Sequence, residues 1–367
     1  WSALNSFQPT LDTDSFPGFA VHPLTPLAFD AQVPKRDQRQ MEAWQRIGVY
    51  AAGLALDSAG CKGNADLLGR MDMIVAAGGG ERDYAVDAQI LSALPKAADQ
   101  DAYLNEHLLS DIRPTLFLAQ LSNLLAGNIS LVHGVIGSSR TFMGEEAAGT
   151  DSLSVAVRRI GAGQGDLALV GGSFNAQRPD ILLHHEMGGK LWRQPFQGVW
   201  GRQAGGGGLI PGSIGCFLII ESRSHAEARG VRPIARIAAV ETDRCRREPG
   251  QATANAQRQL ARIGAAFDRS GAAVISGASG VADPTREERG FLDSLGLPAR
   301  AAGTAIGHGF EPAFIAHVAL AAAAIERGRL FAPLEEAEAA MDAPLRQVLV
   351  TSWGHWRGEA MALVTAP

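Results

Sequence analysis

The sequence predicts an α/β protein whose chain folds as two related halves, residues 1–225 and residues 226–367. Short apolar runs that end in glycines, as at 73–77 and 166–170, predict strands buried on both faces. Longer stretches with apolar residues at helical spacing, as at 147–162, alternate with these runs. Because a similar order of strands and helices recurs in the second half, we expect two related units, although they share no clear sequence repeat.

In the first half, residues 1–40 are rich in proline and turn residues and predict an irregular arm. Since the sequence starts abruptly at Trp1, we also expect a short N-terminal strand to be missing from this numbering. The elements predicted next are a helix at 38–59, a strand at 73–77, a helix at 115–125, a strand at 129–133, a helix at 147–162, a strand at 166–170 and an irregular excursion at 176–208.

The rest of the chain shows the same two kinds of pattern, strand and helix in alternation. The predicted elements are strands at 217–220 and 233–240, a helix at 251–269, a strand at 272–275, a helix at 312–327 and closing strands at 347–351 and 360–364.

Composition narrows the possible functions. Of the 367 residues, 46% are hydrophobic and 19% are charged, and the formal net charge is -5. This charge gives no reason to expect a nucleic-acid partner and disfavours non-specific attraction to anionic lipid. The apolar run 312–325 contains His317 and is too short to span a bilayer, so we expect no integral membrane segment. The cysteines Cys61, Cys216 and Cys245 have no short spacing, which disfavours a disulfide framework or a zinc site and favours a cytoplasmic location.

A series of spaced residues carries the most specific signal in the sequence. Its members are Asn123, Ala126, Gly127, Ser130, Gly137, Thr141, Gly171, Gly172, Gly212, Gly215, Glu221, the pair Gly307-His308 and the glycine-rich segment 352–358. In this order the chain resembles, over nearly its whole length, the β-ketoacyl-acyl carrier protein synthases of the thiolase superfamily. Ser138 stands where that family has proline.

The resemblance implies a thiolase-like fold of five layers, α-β-α-β-α. It implies an acyltransferase family that works in fatty-acid or related acyl-chain biosynthesis, with the acyl carrier protein as a partner. It also implies a dimer. No cofactor of the chain's own is expected, because phosphopantetheine belongs to the carrier protein.

The position of the family's nucleophile is occupied by a different residue. Counting from Thr141, the nucleophilic cysteine falls on Glu146, or on Glu145 if the count shifts by one. The dipole of a helix favours a carboxylate at its N-terminus just as it favours a thiolate. A carboxylate is nevertheless a weak nucleophile, and an acyl anhydride would hydrolyse easily, so we do not expect condensation by this chain alone. The alternative role for Glu146 is to cap its helix or to bind a partner's backbone.

The supporting residues of the family are also changed. Its first histidine falls on Ser276, its lysine on Gly303 and the phenylalanine of its closing loop on His355, while its second histidine is retained as His308. Losing one donor from an oxyanion site typically lowers the rate on the order of 10²–10³-fold. The resemblance places Ser276 and His308 at catalytic positions and Thr141 and His355 in substrate binding. The alternatives are a turn for Ser276, a structural histidine for His308 and a surface or packing role for His355.

Two further motifs are more typical of structure than of chemistry. In His184-His185-Glu186, adjacent histidines diverge on a helix and face opposite ways on a strand, so we expect no metal site there. The four glycines at 205–208 lack the lysine and hydroxyl residue of a nucleotide-binding loop and predict a flexible loop. No metal site is expected elsewhere.

These observations favour a synthase homologue with a degenerate active site, similar to the chain-length factors of polyketide systems. We expect it to act as a partner subunit of an active β-ketoacyl synthase, and a homodimer or a heterodimer remains open. One alternative is a malonyl-carrier decarboxylase or an atypical condensing enzyme that uses His308 and Glu146. A negative Glu146 would repel the malonyl carboxylate and disfavours that route. The other alternative is a non-catalytic protein that binds the acyl carrier.

Overall fold

The computed structural model describes the backbone of residues 1–367 and the side chains of all of them except residues 114 and 115. Its strands are β1 (Asp72–Ala76), β2 (Ser139–Phe142), β3 (Leu167–Phe174), β4 (Ile214–Glu221), β5 (Arg236–Asp243), β6 (Ala272–Ser276), β7 (Ala299–Ala301), β8 (Gln347–Ser352) and β9 (Glu359–Thr365).

The α-helices connect and cover these strands. They are α1 (Ser2–Asn5), α2 (Lys35–Gln38), α3 (Ala43–Ser58), α4 (Ala65–Arg70), α5 (Tyr84–Ala93), α6 (Gln100–Ser110), α7 (Pro114–Ala119), α8 (Leu124–His133), α9 (Glu146–Gly161), α10 (Pro179–Met187), α11 (Arg223–Ala228), α12 (Gln251–Ile263), α13 (Ala282–Leu295), α14 (Gly303–Ile306) and α15 (Ala313–Arg327). Short 3-10 helices lie at Phe29–Ala31, Leu94–Lys96, Gly201–Gly205 and Gly264–Ala266.

The strands form two sheets with matching topology. Over the residues described, the first sheet has four strands in the order β2-β1-β3-β4 and the second has five in the order β5-β9-β8-β6-β7. In the first, β1 is parallel to β2 and β3, and β4 is antiparallel to β3. In the second, β6 is parallel to β7 and β8, and β9 is antiparallel to β8. The sheets thus repeat one arrangement, and β5 is the additional strand of the second.

The layers follow from the alternation of side chains along the strands. On β1, Met73 and Val75 pack outward against α3 and α8, whereas Ile74 and Ala76 point to the centre of the molecule. On β6, Val274 packs outward on α12 and α13, whereas Ile275 faces the centre. The helices α9 and α15 lie between the sheets and share one core with both. The result is the five-layered α-β-α-β-α order, which confirms the predicted fold class.

The central layer depends on a close approach of α9 to the turn before α15. A Cβ atom on Gly149 would lie 2.1 Å from the carbonyl oxygen of Glu311. This helix therefore needs glycine at Gly149 for packing and not for flexibility. The contact fixes the start of α9 against the segment that leads into α15, and the candidate site lies there.

Several predicted elements are wrong or incomplete. The apolar run 129–133 is not a strand but the end of α8, whose Leu125 and Ile129 pack on the first sheet. Short apolar runs do not distinguish a strand from a buried helix. The helix predicted at 115–125 is interrupted, since α7 ends at Ala119 and α8 begins at Leu124. Between them the Ser122 hydroxyl donates to the Gly78 carbonyl at 2.6 Å.

Other elements were not predicted from the sequence at all. The excursion at 176–208 contains α10 and a 3-10 helix, and α5, α6, α13 and the short strand β2 were also missed. The arm at 1–40 holds the short helices α1 and α2. Within the described residues, none of the helices is both long enough and apolar enough to cross a membrane. The boundary between the two halves stays a prediction.

Replacing Gly149 by alanine tests the packing of the central layer. We expect Gly149→Ala to lower the free energy of unfolding by about 1–3 kcal/mol, because its methyl group would overlap the Glu311 carbonyl. Gly161→Ala at the other end of α9 is the control, since a Cβ there meets no atom within 4 Å. Urea unfolding measures both variants. Equal stability of the two would contradict this account of the packing.

Candidate functional site

Glu146 begins α9 directly after a sharp bend that follows β2. In this bend Gly144 has φ 128° and Glu145 has φ 55° and ψ -135°. A residue other than glycine held in such a conformation costs about 1–3 kcal/mol and persists where surrounding contacts impose it. The bend turns the Glu146 side chain into the protein, where the residue is 2% exposed. Glu145 remains half-buried.

One carboxylate oxygen of Glu146 accepts three hydrogen bonds from two histidines. Its Oε1 atom lies 2.6 Å from His308 Nε2, 2.8 Å from the backbone nitrogen of His355 and 2.7 Å from His355 Nδ1. Both histidines are buried. When each imidazole nitrogen that faces the carboxylate carries a proton, all three groups are donors and the site stabilises the anion of Glu146.

His308 is held in place through its backbone. It forms a parallel bridge with Pro211, its N–H donates to the Ile210 carbonyl at 2.8 Å, and its carbonyl accepts from the Gly212 N–H at 2.9 Å. The preceding Gly307 has φ 71°, and a Cβ atom there would lie 2.7 Å from Gly212 Cα. The close contact of two glycines therefore positions the His308 imidazole.

His355 comes from the loop between β8 and β9. In this loop Gly354 has φ 67°, and a Cβ atom on it would lie 3.2 Å from Glu146 Cδ. The backbone thus lies directly against the carboxylate, which lets the His355 N–H reach it. The neighbouring Trp353 is buried and packs near Phe291, with ring centroids 5.9 Å apart. This contact anchors the loop to the second outer layer.

The charges of the site are strongly coupled. Burial opposes ionisation of Glu146, but attraction to His355 and His308 and their hydrogen bonds outweigh it and hold its pKa well below the ordinary value. Burial also works against a charged His355, yet the attraction of Glu146 outweighs it and raises the pKa of His355. The lowered pKa of Glu146 and the raised pKa of His355 both favour the ion pair between the carboxylate and the imidazolium.

A third histidine, His185, and a phenylalanine, Phe310, line the site. The His185 ring, on α10, stacks on Phe310 with centroids 4.8 Å apart and meets the His355 ring edge-on at 5.0 Å. Phe310 also touches the His308 ring, at 4.7 Å. Burial, followed by repulsion from the neighbouring histidines, lowers the pKa of His185 to about 3. His185 is therefore neutral at physiological pH.

A second buried carboxyl group lies next to the site, on Glu311. Burial, with added repulsion from Glu145 and Glu146, raises its pKa to about 7. Three acidic side chains, Glu145, Glu146 and Glu311, thus lie close enough to influence one another.

Of the residues predicted for the site, the structure brings together Glu146, His308 and His355. It does not bring in Ser276, whose hydroxyl donates to Glu288 at 2.7 Å, nor Thr141. Thr141 lies on the edge strand β2 and lines an open cleft of about 480 Å³. The possible surface role of His355 is wrong, because the side chain is 2% exposed. The roles of these residues in chemistry stay predictions.

Sequence reasoning missed Phe310 and Glu311, and it considered His185 only within the 184–186 motif, where it expected no metal site. The available signal was their spacing, because Phe310 and Glu311 directly follow the Gly307-His308 pair that the motif search singled out. The 184–186 motif drew attention to His185, but its place beside His355 depends on where α10 packs. The count of residues from Thr141 had left Glu145 and Glu146 as alternatives, and Glu146 is the one whose side chain faces the histidines.

The site also offers metal-ligand atoms. Two overlapping sets of side chains each bring one ligand atom per residue to within 4.8 Å of the others. One set is Glu146, His308 and His355, and the other is Glu145, His185 and His355. Without a metal, the donors of His308 and His355 surround one negatively charged oxygen. This oxygen belongs to the protein's own Glu146 carboxylate.

Comparison with known proteins gives a consistent assignment. Residues 22–224 match the family model described as beta-ketoacyl synthase, N-terminal domain. The 3-oxoacyl-[acyl-carrier-protein] synthase 2 of Vibrio cholerae serotype O1 is 22% identical over 216 residues, which cover 57% of this chain and 49% of that protein. The match therefore spans about half the length of this curated relative.

Solved structures match over a larger share of the chain. The ishigamide ketosynthase/chain length factor has a TM-score of 0.76 at 19% identity and covers 100% of this chain and 94% of its own. A type II PKS acyl-carrier protein in complex with its ketosynthase bound to the hexaketide has a TM-score of 0.68 at 15% identity, with coverage of 94% and 90%. At these identities the likeness shows the fold, and it confirms the predicted thiolase-like architecture.

Removing the charge of Glu146 tests the coupled charges of the site. We expect Glu146→Gln to lower the free energy of unfolding by about 1.5–3 kcal/mol near pH 6, the range for hydrogen bonds to a charged group. The pKa of Glu146 is lowered, so its contribution is present above the ordinary value of 4.5 and is lost as the pH falls through the lowered value. The pKa of His355 is raised, so its contribution is complete below 6.5 and is lost as the pH rises through the raised value.

The difference in the free energy of unfolding between the wild-type protein and Glu146→Gln should therefore be largest between pH 4.5 and pH 6.5. It should shrink at alkaline pH. Urea unfolding across the pH range measures it. Glu145→Gln is the control, because that half-buried carboxylate makes only a 3.4 Å contact with His355 Nε2. A difference that grows at alkaline pH would contradict the assigned charges.

Proposed function

The chain belongs to the β-ketoacyl synthase family, and within this family we propose that it is a non-condensing partner subunit, of the chain-length-factor kind, for an active synthase. The observation that carries the proposal is the set of three hydrogen bonds to Glu146 Oε1. An oxygen that accepts three donors and bears a lowered pKa is a poor nucleophile. The same three donors are also unavailable to a substrate oxygen.

The chain's cysteines do not replace the missing nucleophile. Cys216 lies on β4, Cys61 follows α3 in the first outer core, and Cys245 contacts Glu359 at 3.4 Å. Burial raises the pKa of all three thiols, and that of Cys216 to about 12. Since the thiolate is the reactive form, these cysteines are inert at neutral pH.

The loss of the family's first histidine is not repaired at its own position. The Ser276 hydroxyl donates to Glu288 Oε1 at 2.7 Å, and the Thr351 hydroxyl donates to the same oxygen at 2.6 Å. The Ser276 hydroxyl proton is therefore engaged in a buried hydrogen-bond network at the second sheet. Ser276 has a structural role there, and the condensation site lacks one donor.

The surface beside β2 supports a partner. This strand is the edge of the first sheet, and an unpaired edge can accept a strand from another chain. Three large apolar side chains near it are strongly exposed: Leu131 at 85%, Ile136 at 69% and Met143 at 66%. They adjoin the cleft, whose lining also includes Asn123, Ser130, Ser139 and Thr141, and together they form a surface suited to a second ketosynthase chain.

The pair would take its acyl groups from an acyl carrier protein. Among the structural relatives, one is a ketosynthase/chain length factor and another is an acyl-carrier protein in complex with its ketosynthase. The intact partner would supply the cysteine chemistry. The chain described here would shape the site without reacting itself.

A malonyl-carrier decarboxylase is the second candidate, because His355 brings another imidazole beside His308. Two imidazoles are suited to stabilise the charge that develops on a thioester oxygen during decarboxylation. The charge of Glu146 opposes this reaction because it repels the malonyl carboxylate. The partner role is therefore the better supported of the two.

Mass spectrometry of the carrier-bound products tests the proposal. The protein is incubated with acyl-carrier and malonyl-carrier, alone and together with an intact synthase from the same source. We expect no β-ketoacyl-carrier from the protein alone and stable co-purification with the synthase. Glu146→Cys alone should also stay inactive, because Ser276 still occupies the histidine position.

Formation of β-ketoacyl-carrier by the wild-type protein alone would overturn the proposal. Acetyl-carrier that disappears in His308→Ala would identify a decarboxylase instead. An intact synthase incubated alone is the positive control for the assay.

A charged substitution at the surface beside β2 tests the partner interface. We expect Ile136→Lys to weaken binding to the synthase by at least about tenfold, because it would bury an unpaired charge. Ile234→Lys is the matched control, since Ile234 is also exposed, at 48%, but lies next to β5 on the other sheet. Surface plasmon resonance measures both variants. Equal binding by the two would exclude the β2 surface as the interface.

A further inference from the structure

We propose that Glu146, His308 and His355 bind one divalent transition-metal ion of the zinc class. This proposal does not rest on the partner role and applies to the chain by itself. It differs from the expectation drawn from the sequence, which considered a metal only at residues 184–186 and expected no metal site. The ligand set instead comes from three distant parts of the chain.

The ligand types and their positions suit such an ion. Two imidazoles and one carboxylate are a common protein set for zinc, with bonds of about 2.0–2.2 Å and a fourth position for another ligand. One ligand atom from each of Glu146, His308 and His355 lies within 4.8 Å of the others. All three residues are at most 4% exposed.

The required movement is small. In a tetrahedral site neighbouring ligand atoms are about 3.3 Å apart. The contacts of Glu146 Oε1 with His308 Nε2 and His355 Nδ1, now 2.6 and 2.7 Å, would lengthen by roughly 0.6 Å as the ion replaces the shared protons.

A second set of contacts would orient His355 as a ligand. Its Nδ1 atom faces Glu146, while its Nε2 atom lies 3.4 Å from a carboxylate oxygen of Glu145. A carboxylate behind the far nitrogen of a ligating histidine fixes the ring and increases its basicity. The strained backbone of Glu145 holds this carboxylate beside the ring.

His185 belongs to a second, overlapping group of potential ligand residues. It is 3% exposed, and its ring stacks on Phe310. One of its ring nitrogens lies within 4.8 Å of ligand atoms of Glu145 and His355. His355 belongs to both groups, so His185 lies beside the proposed ion, whose fourth position is left to another ligand.

The charge of the site favours a cation. Glu145, Glu146 and Glu311 lie close enough to interact electrostatically. In the described structure Glu146 forms its ion pairs with histidines, and no lysine or arginine contacts it. A divalent ion would balance two carboxylates at once and satisfy the lone pairs of the imidazoles. It would also join the start of α9, the turn before α15 and the loop between β8 and β9.

Metal binding to the full-length protein without a histidine tag tests the proposal. The protein is stripped with a chelator, titrated with Zn²⁺, and analysed by mass spectrometry for metal content and by calorimetry. We expect one ion per chain, and a rise in the melting temperature of roughly 3 °C at a hundredfold excess over the dissociation constant. Glu146→Gln and His308→Ala should each weaken binding at least about a hundredfold.

His184→Ala is the matched control, because this exposed histidine is adjacent to His185 and should leave the affinity unchanged. Because His308→Ala could fail to fold, X-ray absorption of the zinc-loaded wild-type protein provides a separate measurement. We expect at least two imidazole ligands and one carboxylate. No stoichiometric binding, binding that survives Glu146→Gln, or a spectrum without imidazole would each overturn the proposal. None of these outcomes bears on whether the chain condenses acyl groups.

Discussion

The buried carboxylate of Glu146 is the constraint on which the rest of the structure depends. A negative charge that is 2% exposed is stable only if donors surround it. The donors come from His308 and His355, which are 162 and 209 residues further along the chain. These contacts bring the central helix layer together with a loop of the second sheet. The position of this one oxygen therefore depends on most of the fold.

The positions of these donors are set by backbone geometry and not by the identity of the residue that they face. The contact of Gly307 with Gly212 positions His308, and Gly354 brings the His355 N–H against the start of α9. The dipole of α9 adds a favourable potential for any anion at this place. Under the proposed function, a site shaped to stabilise negative charge keeps its form with a carboxylate at this position. Packing sets the shape of the site, whereas its chemistry depends on the side chain that the donors face.

The sequence predicted the parts of this structure that depend on local patterns. The strands β1 and β3 were found because buried parallel strands are continuous apolar runs. Glu146 was found by counting from Thr141 in the resembled motif, and His308 through the pair Gly307-His308. The run 129–133 was mistaken for a strand because its β-branched residues fit either state, and packing of α8 on the first sheet decided the outcome. His185 could not be assigned to the site, since its position depends on where α10 docks against Phe310. The local sequence does not specify which distant segments of the chain come into contact.

The unpaired edge at β2 has a consequence for how such a chain exists in a cell. A sheet edge flanked by the exposed side chains of Leu131, Ile136 and Met143 can pair with strands of other chains, and under the proposed function the partner synthase would cover it. Copies made in excess of that partner would be the ones that aggregate or are degraded. The amount of this protein would then follow the supply of its counterpart, so that subunit stoichiometry is enforced by surface chemistry and not by matched synthesis alone.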